Sequence, residues 1–76
     1  MSRSPELRRQ RAMEYLSQGL VAPARAHLDV LQQTAPNDVH TLLLAAHIAW
    51  HEDRIREAAR YSLEAAAVAN DDPSIL

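Results

Sequence analysis

A helix is predicted over residues 39–50, because apolar side chains recur there at helical spacing. One stripe consists of Val39, Leu42, Leu43, Ala46, Ala49 and Trp50. Further apolar residues lie on the other sides of the same segment. A helix that is apolar nearly all round has to be packed from several directions. We therefore expect this third helix of the chain to lie at the centre of the molecule.

Two helices are predicted before it from local start and stop signals. Pro5 fits the first turn of a helix that Ser4 caps, and Gly19 ends that helix. Pro23 fits the first turn of the second helix, which Pro36 stops. Both segments carry apolar residues at helical spacing, so each is expected to bury one face.

The third and fourth helices also begin with predicted caps. Asn37 or Asp38 is expected to cap the third helix, and Asp53 the fourth, which runs to about Ala69. Connections of only a few residues favour antiparallel neighbours, so the helices form two αα-hairpins. The chain is rich in Ala and Leu and has one Gly and no Phe, which favours helices over strands. The predicted fold class is all-α.

The second half of the chain aligns with the first at an offset of 34 residues. The identical pairs are Ala12 and Ala46, Ala24 and Ala58, Ala35 and Ala69, Asp38 and Asp72, and Leu42 and Leu76. At this offset the turn residue Gly19 falls on Asp53, and Leu16 falls on Trp50. We interpret residues 5–38 as a first unit, 39–72 as a second, and 73–76 as the start of a truncated third.

A helix–turn–helix unit of this length resembles the tetratricopeptide repeat (TPR) family. The matching positions are Ala12, Tyr15, Gly19, Ala24, Leu28 and Pro36 in the first unit, and Leu42, Ala46, Asp53, Ile55, Ala58 and Ala65 in the second. The departures from the family pattern are Arg8, Arg11, Asp53 and Asn70. The resemblance implies two tandem hairpins of a right-handed α-solenoid, with a concave groove that binds a peptide or a partner helix.

By the same resemblance, the first helix of each unit lines that groove. The implied partner-binding residues are Glu6, Arg9, Met13 and Leu16 in the first unit, and His40, Leu43, His47 and Trp50 in the second. Adaptable and aromatic apolar groups with a few charges are typical of contact surfaces. A core position is the alternative for Met13 and Leu43, and it is the favoured interpretation for Trp50, which belongs to the apolar stripe.

The resemblance therefore implies a scaffold or protein-binding module that holds no cofactor. Catalysis by this segment is not expected, because a chain with no Cys and one Gly offers neither a thiol nucleophile nor a Gly-rich phosphate loop. The alternative is an accessory segment of a larger enzyme that aids substrate positioning or dimerisation. Residues 24–28 and 35–38 resemble the N-terminal repeats of bacterial TPR-containing sulfotransferases. Activity of a longer parent protein stays open.

Two polar clusters suggest other functions. His47 and His51, four residues apart, supply half of a tetrahedral metal site, and nothing nearby in sequence completes it, so no metal is expected. The first eleven residues carry four arginines, with Glu6 opposing them. The chain has a net charge of −2 and this cluster has no aromatic residue for base stacking, so nucleic-acid binding is not expected.

The fourth helix is predicted to carry a face of small residues with no following helix to cover it. The members of this face are Ala58, Ala59, Ser62, Ala65, Ala66 and Ala69. We expect either a fragment of a longer protein or a homodimer through this face.

No apolar run approaches the ~20 residues of a membrane span, and no secretory signal is visible. The expected location is cytoplasmic, with no membrane partner.

Overall fold

The computed structural model of the chain describes residues 5–71, which form four α-helices. They are α1 (Pro5–Ser17), α2 (Val21–Thr34), α3 (Val39–His51) and α4 (Ile55–Asp71). No strand occurs within this range, so the all-α prediction is confirmed. The predicted cap Ser4 and the predicted third unit, residues 73–76, lie outside the described residues. Within them, no helix is both long and apolar enough to cross a bilayer.

The predicted cap of α3 is confirmed at Asp38. Its backbone is extended, with φ −73° and ψ 141°, and its side-chain oxygen accepts a hydrogen bond of 2.8 Å from the His40 N–H. The predicted cap of α4 is wrong. Asp53 adopts a left-handed conformation with φ 62°, so it ends the preceding turn instead. α4 begins after Arg54, whose carbonyl oxygen accepts from the Ala58 N–H at 2.9 Å.

The turns within the two hairpins have the same backbone structure. α1 and α3 end 34 residues apart, and α2 and α4 begin 34 residues apart. Gly19 and Asp53, at the same offset, both have positive φ. The N–H groups of Gly19 and Leu20 donate to the carbonyls of Leu16 and Tyr15, and those of Asp53 and Arg54 donate to Trp50 and Ala49. These bonds satisfy carbonyls at the helix end in the same way in both hairpins.

The prediction that the third helix is central is confirmed, because α3 packs against all three other helices. The main core cluster consists of Ala12, Leu16, Ala24, Leu28, Leu31, Leu44, Ala45 and Ile48. It joins α1 and α2 to one face of α3. Within the described chain, the backbone of α4 packs only on α3, while its Tyr61 side chain reaches the edge of the cluster.

A second face of α3 packs on α4 through small side chains. Ala46 and Ala49 of α3 and Ala58 and Ala65 of α4 are all buried. Small residues allow two helix axes to come close, although they bury little apolar area. The predicted small-residue face of α4 is therefore split. Its buried members are Ala58 and Ala65, whereas Ala59, Ser62 and Ala66 are exposed and Ala69 is half-buried.

Thr41 is the buried polar residue on the inner face of α3. It is 1% exposed, and its hydroxyl has no hydrogen-bond partner among the described residues. A buried hydroxyl that makes no hydrogen bond costs stability, because it has lost its bonds to water. The apolar inner face of α3 thus contains one unfavourable position.

Candidate functional site

An open groove runs between α3 and α4 on the side away from α2. Its volume is about 310 Å³. It is lined by Leu43, Ala46, His47 and Trp50 of α3 and by Ala58 and Ser62 of α4. The Trp50 side chain is 63% exposed. A concave, largely apolar surface with an exposed Trp is the kind of surface that binds partners.

Three of the predicted partner-binding residues come together here, namely Leu43, His47 and Trp50. The groove also contains Ala46, Ala58 and Ser62, which were not among the predicted site residues. These three residues could have been identified from the sequence by means of the 34-residue offset. This offset aligns Ala46, Ala58 and Ser62 with Ala12, Ala24 and Leu28, which belong to the core cluster of the first hairpin.

The remaining predicted residues lie along α1 and the start of α3. Arg9 Nε donates a hydrogen bond of 3.1 Å to His40 Nδ1, so these two side chains link α1 to α3. Met13 is half-buried and packs against the core cluster. Glu6 is exposed. This part of the predicted surface is therefore more polar than the α3–α4 groove and partly occupied by internal contacts.

The prediction for Leu16 needs correction. It was expected to line the groove, but it is only 3% exposed and belongs to the core cluster. α3 packs across this part of the first hairpin and covers the side chain. Leu16 is consequently a core residue, with no surface to offer a partner.

The interpretation of Trp50 as a core residue also needs correction, in the opposite direction. The sequence favoured a core position because Trp50 belongs to the apolar stripe of α3, yet most of its side chain is exposed. Its counterpart Leu16 is covered by α3, whereas no helix among the described residues lies over Trp50. Helical spacing identifies an apolar face but does not say whether a neighbour covers it.

His47 contributes a neutral side chain to the groove at pH 7. Its pKa is lowered from the usual 6.5, mainly by partial burial and further by the positive charge of Arg9 and by His51. The other lining residues carry no ionisable group. The groove is thus uncharged at neutral pH, which suits an apolar partner surface.

His47 and His51 lie one turn apart on α3 and are both exposed. Within residues 5–71, no group of three or more His, Asp or Glu side chains is placed to hold a metal ion.

Some of the basic residues near the start of α1 make contacts within the protein. Arg8 Nη1 lies 3.2 Å from His27 Nδ1, and the Tyr15 ring stacks on His27 with centroids 5.9 Å apart.

A smaller cleft of about 120 Å³ lies on the other side of α3, where α2, α3 and α4 meet. Arg25 of α2 forms an ion pair with Glu52, which follows α3. Arg54 lies 3.8 Å from both Glu52 and Glu57. The hydrogen bond from Arg25 is the main reason that the pKa of Glu52 is lowered. These charges neutralise one another, so the cleft has less to offer a ligand than the α3–α4 groove.

Sequence analysis did not identify the Arg25–Glu52 pair, because its members are 27 residues apart and no local pattern connects them.

The chain was also compared with known proteins. No family model, no curated protein and no solved structure matches it significantly.

Proposed function

We propose that the chain is a protein–protein interaction module made of two stacked TPR-like units, and that it binds a partner in the groove between α3 and α4. It acts as a scaffold, without a catalytic step or a cofactor of its own. The repeat relation is supported by the turns, where Gly19 and Asp53 share a left-handed backbone and the same hydrogen bonds.

The single observation that carries the binding proposal is the exposure of Trp50 beside an uncharged groove. Trp has a large apolar surface, and leaving it in water forgoes favourable burial. Trp is also enriched among the residues that dominate binding energy at interfaces. Leu43 and Ala46 support the same argument, because they add apolar side chains to the lining of the groove.

The experiment is affinity capture from the native cell extract with three forms of the full chain. They are the natural sequence, Trp50→Ala, and Val30→Ala as the matched control on the outer side of α2. A captured protein is then purified and its affinity for each form is measured. We expect Trp50→Ala to weaken binding by at least about tenfold, as for a residue at the centre of an interface, and Val30→Ala to leave it unchanged.

Circular dichroism establishes that each variant keeps its helices, so that a loss of binding reflects the altered surface. Equal binding by all three forms would show that the partner does not use this groove. The proposal for the site would then be wrong.

A further inference from the structure

The α3–α4 groove corresponds, residue by residue, to a surface that is already covered in the first hairpin. Moving its six lining residues back by 34 positions gives Arg9, Ala12, Met13, Leu16, Ala24 and Leu28. We call these six the covered surface. Four of them belong to the buried core cluster, and Met13 packs against that cluster. Leu16 and Leu28 of the first hairpin are buried, whereas the corresponding Trp50 and Ser62 of the second are exposed.

The helix that buries the covered surface is α3. It does so with a face in which Thr41, Leu44, Ala45 and Ile48 follow one another at helical spacing, each at most 2% exposed. Because the two hairpins agree in their turns and in the helix ends that flank those turns, the second hairpin offers a groove of similar construction. We infer that the α3–α4 groove binds an amphipathic α-helix of a partner protein, placed as α3 is placed on α1 and α2. This inference rests on the proposed function.

The edges of the two surfaces differ, and the difference defines the chemistry of the partner. Two polar links hold α3 on the first hairpin, one from Arg9 to His40 and one from Arg25 to Glu52. At the 34-residue offset, Arg9 becomes Leu43 and Arg25 becomes Ala59. A polar side chain on the incoming helix would find no charged partner at either position. The partner helix is therefore expected to be apolar at the positions that correspond to His40 of α3 and to Glu52, the residue that follows α3.

The sizes of two residues that line the groove set a second requirement. Leu28 on the covered surface is replaced by Ser62 in the groove, whereas Leu16 is replaced by the larger Trp50. Interfaces pack best when total volume is conserved. The partner helix is thus expected to carry a bulkier side chain than α3 on the side facing α4, and a smaller one beside Trp50.

A second copy of this chain does not meet these requirements. If copies stacked head to tail in the same register, α1 of one copy would occupy the groove of the other. Its face at the positions of Thr41, Leu44, Ala45 and Ile48 consists of Leu7, Gln10, Arg11 and Glu14, all of which are exposed. Burying that Arg and Glu in an uncharged groove would cost their hydration without providing partners. The α1 face of a second copy therefore does not match the groove in this register.

The test uses the full chain and its single Trp as an intrinsic probe of the groove. The ligand is a Trp-free, stapled helical peptide of about 15 residues, since shorter isolated helices are marginal in water. It carries apolar residues at the spacing of the inner face of α3, bulkier than those of α3 on the side that faces Ser62 and smaller beside Trp50, with Leu at the positions of His40 and Glu52 and with Glu and Lys elsewhere. A control peptide restores His and Glu at those two positions.

Titration with the first peptide is expected to give a saturable blue shift of Trp50 emission, because the helix removes the ring from water. The control peptide is expected to bind at least about tenfold more weakly. Ser62→Arg, which places a charge in the groove, should abolish the shift. Leu63→Arg, at the neighbouring but outward-facing position that is 72% exposed, should leave it unchanged.

The absence of a saturable shift, or equal binding by the two protein variants, would overturn the inference. So would a blue shift that appears without peptide and grows with protein concentration, since that result assigns the groove to a second copy. If Trp50→Ala abolishes capture of a natural partner while the peptide fails to bind, the interaction function stands and the helix assignment falls. If the peptide binds but capture is unaffected, the groove accepts a helix and the proposed function at this site falls.

Discussion

The first hairpin presents Leu16 and Leu28 to α3, whereas the second presents Trp50 and Ser62 to an open groove. In both hairpins the first helix has the same limits, the second helix begins at the same offset, and the turn makes the same hydrogen bonds. The difference therefore comes from what lies against each hairpin. Two hairpins with the same local structure can therefore bury a residue in one case and expose its counterpart in the other.

The opposite face of the first hairpin completes the comparison. The face of α1 that corresponds to the inner face of α3 contains Gln10, Arg11 and Glu14, which are exposed. This face of α1 is thus mainly polar, while the α3–α4 groove is largely apolar. The proposed binding site therefore lies at the apolar surface.

The largest expected effect comes from truncating the aligned pair Leu16 and Trp50 separately. Leu16→Ala leaves a cavity in the core and is expected to cost about 2–5 kcal/mol of unfolding free energy. Trp50→Ala removes a mostly exposed ring and should cost less than about 1 kcal/mol. Urea unfolding followed by circular dichroism measures both. Similar losses in the two variants would mean that the hairpins are equally covered in solution.

Substitutions at the two turn residues should have smaller effects on the free energy of unfolding, with opposite signs at Gly19 and Asp53. Gly19→Ala places a side chain at φ 76°, where no atom lies close enough to clash, so the cost is that of the left-handed backbone, about 1 kcal/mol. Asp53→Gly relieves the same strain at φ 62° and should gain about 0.5 kcal/mol. Thermal unfolding measures the two shifts. A gain from Gly19→Ala would contradict the left-handed turn.

Position 41 and its counterpart at position 7 test the inner face of α3. Thr41→Val removes the buried hydroxyl that lacks a partner, and we expect a gain of about 1 kcal/mol. Leu7→Thr alters an exposed side chain, so the unfolding free energy should change by no more than about 0.5 kcal/mol. Chemical denaturation distinguishes these outcomes. A loss from Thr41→Val would indicate that the hydroxyl makes a hydrogen bond after all, for example to water.

The smallest expected effect concerns the ion pair that joins the hairpins. The pKa of Glu52 is lowered by Arg25, so the pair stabilises the fold above the usual Glu pKa of 4.5, and its contribution is lost as the pH falls through the lowered value. Glu52→Gln should cost less than about 1 kcal/mol at pH 7, because both side chains are partly exposed.

The control is Glu64→Gln, which breaks an exposed pair with Arg60 within α4. Unfolding free energies measured from pH 7 to pH 3 should show the penalty of Glu52→Gln shrinking with acid, while Glu64→Gln stays near the natural protein throughout. A penalty that is independent of pH would mean that Glu52 acts through packing and not through its charge.

Local features of the sequence were sufficient for the helices and the central place of α3. The cap at Asp38 and the stop at Gly19 each depend on interactions within a few residues, so they can be predicted from a short segment. The apolar residues of α3 surround it on several sides, and such a helix is stable in water only when neighbours cover it. The error at Asp53 was also local, because Asp suits both a cap and a left-handed turn.

Only the tertiary structure decided which apolar residues are core and which remain available for contact. Leu16 and Trp50 have the same helical position and similar apolar character, yet one is buried and the other exposed. Likewise, Arg25 meets Glu52 only because α2 and the end of α3 come together. Periodicity is a property of a single helix, whereas burial depends on a second helix whose position is set by contacts far away in the chain.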